Sequence, residues 1–290
     1  MVIEIINATK KYGDHKALDG VTIKVEKGKI QGLIGKNGTG KTTLIKAIVG
    51  IHELTSGTIK ILGEEVYDNE SIKREIGYVA DKNQLFKDYT INKMIKFYQE
   101  VYPKFSVEKF DYYNEKVKLF KEKKIRTLSK GMQTKLAIML NLARKPEVLI
   151  LDEPTSGLDV MAKKEILGFI IEAVEEEQVT VLISSHHLSD LEMLCDDITL
   201  LSDGKKVENT ASINEVREKL KKIQVVFKND ADLSLLDKDE NIIDISNIGR
   251  VYYIVTKDLS KTESNIKEIG FNMIEELPMA LEEIFIYINK

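Results

Sequence analysis

Gly35-Lys36-Asn37-Gly38-Thr39-Gly40-Lys41-Thr42 is the stretch that decides how this chain is read. It carries a glycine, four residues and then Gly-Lys-Thr, between a short apolar run at 30–34 and an apolar segment at 42–49 that Gly50 stops. That order predicts strand, loop and helix, the setting in which this spacing binds phosphate. An ordinary glycine-rich turn would not need that context. Glycines let the backbone close round an anion. Amides of Asn37, Gly38, Thr39, Gly40, Lys41, Thr42 and Thr43 can then point at a β-phosphate from the start of a helix whose dipole favours negative charge. Lys41 adds a charge able to bridge β- and γ-phosphates, and the Thr42 hydroxyl suits Mg²⁺, a hard cation that prefers oxygen. A triphosphate with its magnesium is the expected ligand.

Working outward, Val148-Leu149-Ile150-Leu151 reads as a buried strand ending in Asp152-Glu153, so two carboxylates emerge at the carboxyl edge of the sheet, beside the loop. Asp152 is fitted to hold Mg²⁺ through its water shell and Glu153 to polarise an attacking water. Taken alone, the pair is equally explained by a solvated turn or a helix cap. Apolar runs at 148–151 and 179–184 flank 161–178, where Ile166, Leu167, Ile170, Ile171 and Val174 make one helical face. This pattern predicts a parallel α/β core. Residues 89–143 lack strand alternation and are read as a mainly helical insertion. Beyond about 209 the pattern changes, with strands expected at 223–227 and 251–255 and a closing amphipathic helix at 281–288.

Four further stretches fall in a fixed order around this core. Tyr12 lies in Lys-Tyr-Gly, Leu128-Ser129-Lys130-Gly131-Met132-Gln133 precedes the acidic strand, Ser156-Gly157-Leu158-Asp159 follows it, and Ser184-Ser185-His186 ends the next apolar run. With them the chain resembles an ABC ATPase over nearly all of 1–210. The resemblance implies a P-loop cassette with an antiparallel β subdomain and a helical lobe at about 88–144. A small C-terminal α+β domain is placed at 211–290. It also implies roles: Tyr12 stacks on the adenine of ATP, and His186 touches the γ-phosphate and joins Glu153 and Lys41 as the catalytic set. Ser129 and Gly131 bind the γ-phosphate of a nucleotide held by another cassette, and Asp159 belongs to the same nucleotide-contacting group. Each has a plainer reading: Tyr12 as packing, His186 as a strand-end polar residue, Asp159 as an N-cap. His187 follows His186 directly, and alignment of the Ile-Ser-Ser-His run favours His186.

Two departures stand out. Asp81, in Ile76-Gly77-Tyr78-Val79-Ala80-Asp81, occupies the position where the family usually carries glutamine, and Gln84 comes too late to replace it. A carboxylate can still approach Mg²⁺, but it cannot donate a hydrogen bond as an amide can. Lys130 and Met132 replace the commoner glycine and glutamine of the signature. This variation resembles the branch of bacitracin-type drug and peptide exporters, within which modulin peptide exporters also fall.

Composition bounds the rest. A net charge of -4 gives no basic nucleic-acid footprint, and 31% charged against 43% hydrophobic residues reads as globular. No run reaches the roughly 20 apolar residues a bilayer-spanning helix needs. The first eleven residues alternate like a strand and lack the build of a signal peptide. Cys195, the single cysteine, excludes an internal disulfide and is expected as a buried thiol in a helix-like stretch at 188–195. Four histidines without metal-ligand spacing make a zinc or iron site an unsupported reading. The resemblance implies an ATP-hydrolysing motor of an exporter at the cytoplasmic membrane face, partnered by a second cassette and a separate transmembrane permease, and no nucleic acid. Homodimeric and heterodimeric pairing both remain open, and a soluble ABC ATPase uncoupled from transport is the alternative.

Overall fold

The computed structural model of the chain describes residues 1–82, 85–186, 188–192, 194–202, 204–206, 211–212, 218, 220–228 and 232–288. Gln84 and His187 lie outside the described residues. Two compact units are present, Met1–Thr210 and Ala211–Lys290.

The first unit begins with β1 (Ile3–Tyr12), β2 (His15–Val25), β3 (Ile30–Ile34), α1 (Lys41–Ile48), β4 (Ser56–Ile61), β5 (Glu64–Glu65), α2 (Glu70–Arg74) and β6 (Ile76–Val79). It continues with α3 (Ile91–Val101), α4 (Val107–Val117), α5 (Lys130–Leu142), β7 (Val148–Asp152), α6 (Val160–Glu177), β8 (Thr180–Ser185), α7 (Leu188–Glu192), β9 (Asp197–Ser202) and β10 (Lys205–Lys206). One sheet, in the order β2-β1-β4-β5, is antiparallel. The other runs β10-β9-β3-β8-β7-β6, parallel from β9 to β6. Strands β3, β7 and β8 are buried at every residue, which is why they read as continuous apolar runs. Their register matters for the site. Ile34 pairs with Ser185 and Asp152 with Ser184, so the glycine-rich loop, Asp152-Glu153 and His186 all leave one edge of the sheet.

Helix α1 joins the two sheets. Leu44, Ile45 and Ile48 are wholly buried in a cluster that holds Ile3, Ile5 and Leu18 from the antiparallel sheet and Leu33, Val148 and Leu182 from the parallel one. Each large aliphatic side chain buried this way contributes about 1.5–3 kcal/mol. Between β6 and β7 the chain is helical, with Thr90, Ser106 and Ser129 capping α3, α4 and α5 through their hydroxyls. Asn141 fastens α5 to β6: its Oδ1 accepts from Tyr78 N at 3.1 Å and its Nδ2 donates to Tyr78 O at 3.2 Å. Cys195 is buried, as expected, and burial pushes its thiol pKa well up; helix α7, however, ends at Glu192, short of it.

In the second unit a two-residue strand, β11 (Ala211–Ser212), precedes β12 (Lys221–Phe227), α8 (Ser234–Asp237), β13 (Ile242–Ile248), β14 (Val251–Thr256), α9 (Leu259–Ile269), β15 (Phe271–Leu277) and α10 (Leu281–Ile288). Strands β12 to β15 form an antiparallel sheet in the order β13-β14-β12-β15. From β12 to β15 this is the split β-α-β-β-α-β arrangement. The central strands β12 and β14 and the helix α10 match the sequence reading, while β13, β15 and α9 had not been expected. Ile223, Val225, Ile254 and Ile266 form the unit's core. Lys222 Nζ to Glu283 Oε1 at 2.6 Å and Tyr287 Oη to Asp244 Oδ2 at 3.1 Å tie α10 to the sheet.

Candidate active site

The glycine-rich loop owes its path to what a side chain would strike. At Gly35 a Cβ would lie 2.4 Å from Thr39 Oγ1, and at Gly40, whose φ is +94°, 2.4 Å from Ala17 O. Gly40 therefore turns the chain into α1 in a left-handed conformation that L side chains rarely adopt. Thr39 is buried and its hydroxyl donates to Lys36 O at 2.9 Å, closing the loop on itself. Lys41, only 6% exposed, points its ammonium back into the loop, 2.5 Å from Gly35 O, 3.3 Å from Lys36 O and 3.5 Å from Glu153 Oε1. Two carbonyls and one carboxylate meet the three donors of this buried ammonium, so an incoming phosphate oxygen would take the place of one of them.

The carboxylates leave β7 in different directions. Asp152 is buried, takes a hydrogen bond from Ser184 Oγ at 2.8 Å and another from the Thr42 side chain. Burial raises its pKa, the neighbouring Glu153 and Asp81 charges add to the rise, and the two hydroxyls oppose it. Glu153 has φ +51°, which turns its side chain out of the strand line. Its amide donates to Ser184 Oγ at 3.0 Å, and its Oε2 lies 2.6 Å from His186 Nδ1 and accepts from His186 N at 3.3 Å. Glu153 is thus gripped between an ammonium and an imidazole. Through one hydroxyl Ser184 donates to the Asp152 carboxylate and accepts from the Glu153 amide.

These groups open into a cleft of about 480 Å³. Of the predicted set, Tyr12, Asn37, Gly38, Gly40, Lys41, Thr42 and Thr43 line it together with Asp81, Glu153 and His186. Ser156, from the stretch after the acidic strand, and His15, at the start of β2, line it as well. Asp152 faces an adjoining cavity that shares Thr42 and Asp81 with the cleft. Tyr12, 47% exposed, carries its hydroxyl 2.6 Å from His52 Nδ1. Thr39 supports the loop from beneath. Ser129, Gly131 and Asp159 lie outside both linings. Ser129 accepts from Met132 N at 3.2 Å and Asp159 from Ala162 N at 2.8 Å, so each caps a helix within this chain.

The two departures from the family pattern approach one another. Lys130 Nζ donates to Ser156 O at 2.7 Å and stands 4.0 Å from Asp81 Oδ1. Both side chains are about half exposed, and such a pair adds at most about 1 kcal/mol. Among the described residues no cluster of three or more His, Cys, Asp or Glu could cage a metal. The oxygen donors of Thr42, Asp152 and Asp81, beside a phosphate loop and open to water, suit a cation that keeps several waters and takes phosphate oxygens, as Mg²⁺ does.

Residues 18–156 match the family described as ABC transporter. The chain is 32% identical over 286 residues to the ABC transporter ATP-binding protein YtrB of Bacillus subtilis (strain 168), covering 98% of this chain and 97% of that one. It is 36% identical over 210 residues to the bacitracin transport ATP-binding protein BcrA of Bacillus licheniformis, covering 71% of this chain and 69% of the relative. Among solved structures, the dimeric bacterial ABC transporter cassette MJ0796 is similar with a TM-score of 0.66 at 25% identity, over 73% of this chain and 98% of that one.

Proposed function

This chain belongs to the ABC transporter family, and from that premise we propose that two copies of it, docked on a separate membrane-spanning permease, power export of a drug, peptide or other amphipathic molecule. It is an ATP-binding motor subunit, and ATP hydrolysis is its reaction. Among the described residues no helix is long and apolar enough to cross a membrane, which is why the translocation path is assigned to a partner at whose cytoplasmic face this chain sits. The Lys130 and Met132 variants, which resemble the bacitracin-type exporter branch, support the export reading, and the likeness to bacitracin transport proteins supports a drug or peptide as cargo.

The observation that carries the catalytic assignment is Glu153 held between Lys41 and His186 at the cleft. In the proposed cycle Tyr12 receives adenine, and the amides of residues 37–43 with Lys41 hold the β- and γ-phosphates. Mg²⁺ would be held by the Thr42 hydroxyl, Asp152 and Asp81, and when bound it neutralises charge on the β- and γ-oxygens. Glu153 takes a proton from the attacking water as its oxygen closes on the γ-phosphorus. The bond from that phosphorus to the bridging oxygen breaks, leaving ADP and inorganic phosphate. His186 keeps the Glu153 carboxylate in line and reaches towards the γ-phosphate. Ser129, Gly131 and Asp159 do not line their own chain's cleft, so their roles fall to a second copy packed head-to-tail.

Asp152 tests the metal assignment through stability. Its raised pKa means that the carboxylate's favourable contribution is present below the ordinary aspartate range and lost as pH rises through the folded value. Ionising Asp152 in the nucleotide-free chain therefore carries a desolvation cost. Asp152→Asn should raise the nucleotide-free Tm by about 2–4 °C, roughly 1 kcal/mol for a chain of this size. The same variant should lose the extra thermal stabilisation that Mg²⁺ gives over ATP alone. A variant still stabilised by Mg²⁺ would remove Asp152 from the metal site.

The export reading is tested by co-expressing the chain with the product of an adjacent gene that carries bilayer-length hydrophobic spans, and purifying in detergent. The two should co-elute, and the permease should change the rate of Mg²⁺-dependent ATP turnover. Turnover that ignores such a permease and responds to ribosomes or nucleic acid sinks the reading.

A further inference from the structure

We propose that His52 is a positioning residue for nucleotide binding, its imidazole fixing the Tyr12 ring in the attitude in which it receives the base. The inference rests on the assignment of Tyr12 to adenine and extends it to a residue that does not itself line the cleft.

Tyr12 is the last residue of β1, where the hairpin turns into β2. At 47% exposure it lacks the packing that would hold an aromatic ring still, and a ring that is free before binding and fixed afterwards costs affinity. His52 supplies the restraint. Its Nδ1 lies 2.6 Å from the Tyr12 hydroxyl, and the two rings meet edge-on, with centroids 6.0 Å apart and planes at 76°. An edge-on neighbour holds the ring without itself covering a face, and Lys10 Nζ lies over one face, 5.3 Å from the ring centroid, which leaves stacking to the other.

The imidazole is itself well anchored. Gly50, at φ +69°, reverses the chain after α1, and the amides of Ile51 and His52 both donate to Lys46 O, at 2.8 and 3.1 Å. Helix α1 therefore carries the phosphate cradle in its first turn, at Lys41 and Thr42, and the support for Tyr12 just beyond its last. Partial burial, with the Lys46 and Lys10 charges, holds the His52 pKa below the usual histidine range, so the ring is neutral near pH 7. In the neutral tautomer that carries its proton on Nε2, Nδ1 accepts and the Tyr12 hydroxyl donates.

His52→Ala and Tyr12→Phe break the same hydrogen bond from opposite ends. Each should raise the KM for ATP about three- to tenfold, the gain expected of one such bond, with the change falling in KM rather than kcat. The double variant should be no worse than either single one, because the contact is lost only once. His52→Gln, whose side-chain carbonyl can accept the same hydroxyl, should recover most of the affinity. Tyr12→Ala separates the two assignments. If it leaves KM unchanged, the base assignment of Tyr12 itself is wrong. If it raises KM while His52→Ala and Tyr12→Phe do not, or if those two effects simply add, the positioning role of His52 is overturned and Tyr12 stands alone.

Discussion

Replacing Glu153 with glutamine lowers ATP turnover by about 10²- to 10⁴-fold, the range lost with a general base, and leaves an ATP-bound dimer that survives size-exclusion chromatography. The substitution keeps length, planarity and a carbonyl oxygen that can face Lys41, while the backbone turn at φ +51° and the amide bond to Ser184 are untouched. What disappears is the capacity to take a proton. A negative charge also leaves the neighbourhood of the incoming γ-phosphate, so ATP binding is not weakened and the closed pair accumulates. Removing that charge relieves Asp152 of one of the causes of its raised pKa, which favours its ionised, metal-binding form. Chromatography with ATP and with ADP, beside a phosphate-release assay, reads both halves. A variant that hydrolyses at the parental rate places the base elsewhere.

The residues behind this expectation are local in the sequence. A glycine loop, an apolar strand and two carboxylates at its end are each contiguous, and backbone sterics and burial dictate their form within a few residues. What the sequence hid is the contact between distant segments. Tyr12 and His52 are 40 residues apart, and Asn141 reaches the backbone of Tyr78 across 63. Neither pairing leaves a periodicity or a spacing to read. Asp81 and Lys130 were each visible as departures, yet nothing in either one pointed to the other. In the second unit, β12 and β14 were legible because they are central and their buried residues recur, as at Ile223, Val225 and Ile254. The edge strands β13 and β15 were not, since Asp244, Ser246, Asn247, Glu275 and Glu276 break the apolar alternation on half-exposed edges.

Lys130 also changes how the signature segment is held. In this chain the start of α5 is tied to Ser156 O directly and to Asp81 more loosely, so one lysine touches both the turn after the acidic strand and the residue standing in for the usual glutamine. An exposed pair at this distance is weak, so the Asp81 carboxylate can leave the ammonium at little cost.

Gly131→Asp separates folding from catalysis. A Cβ at Gly131 would meet only Ala162 Cβ at 3.5 Å and Leu158 Cδ2 at 3.6 Å, ordinary contacts, and an acid in the first turn of α5 suits the helix dipole. The monomer should stay folded and, with its own phosphate loop intact, should bind ATP as before. Its turnover should nevertheless fall about 10²-fold or more, because the new carboxylate would oppose the γ-phosphate carried by a second copy. The same head-to-tail logic makes a stronger test by mixing. In a pair of one Lys41→Ala chain and one Gly131→Asp chain, both lesions fall in one composite site, and the other site has an intact phosphate loop and an intact signature. Mixing two inactive variants should therefore restore up to about a quarter of the parental turnover, since half the pairs are mixed and each has one sound site of two. If each chain closed its own site, no mixture could recover activity, and a Gly131→Asp chain hydrolysing at the parental rate would show that a second copy contributes nothing there.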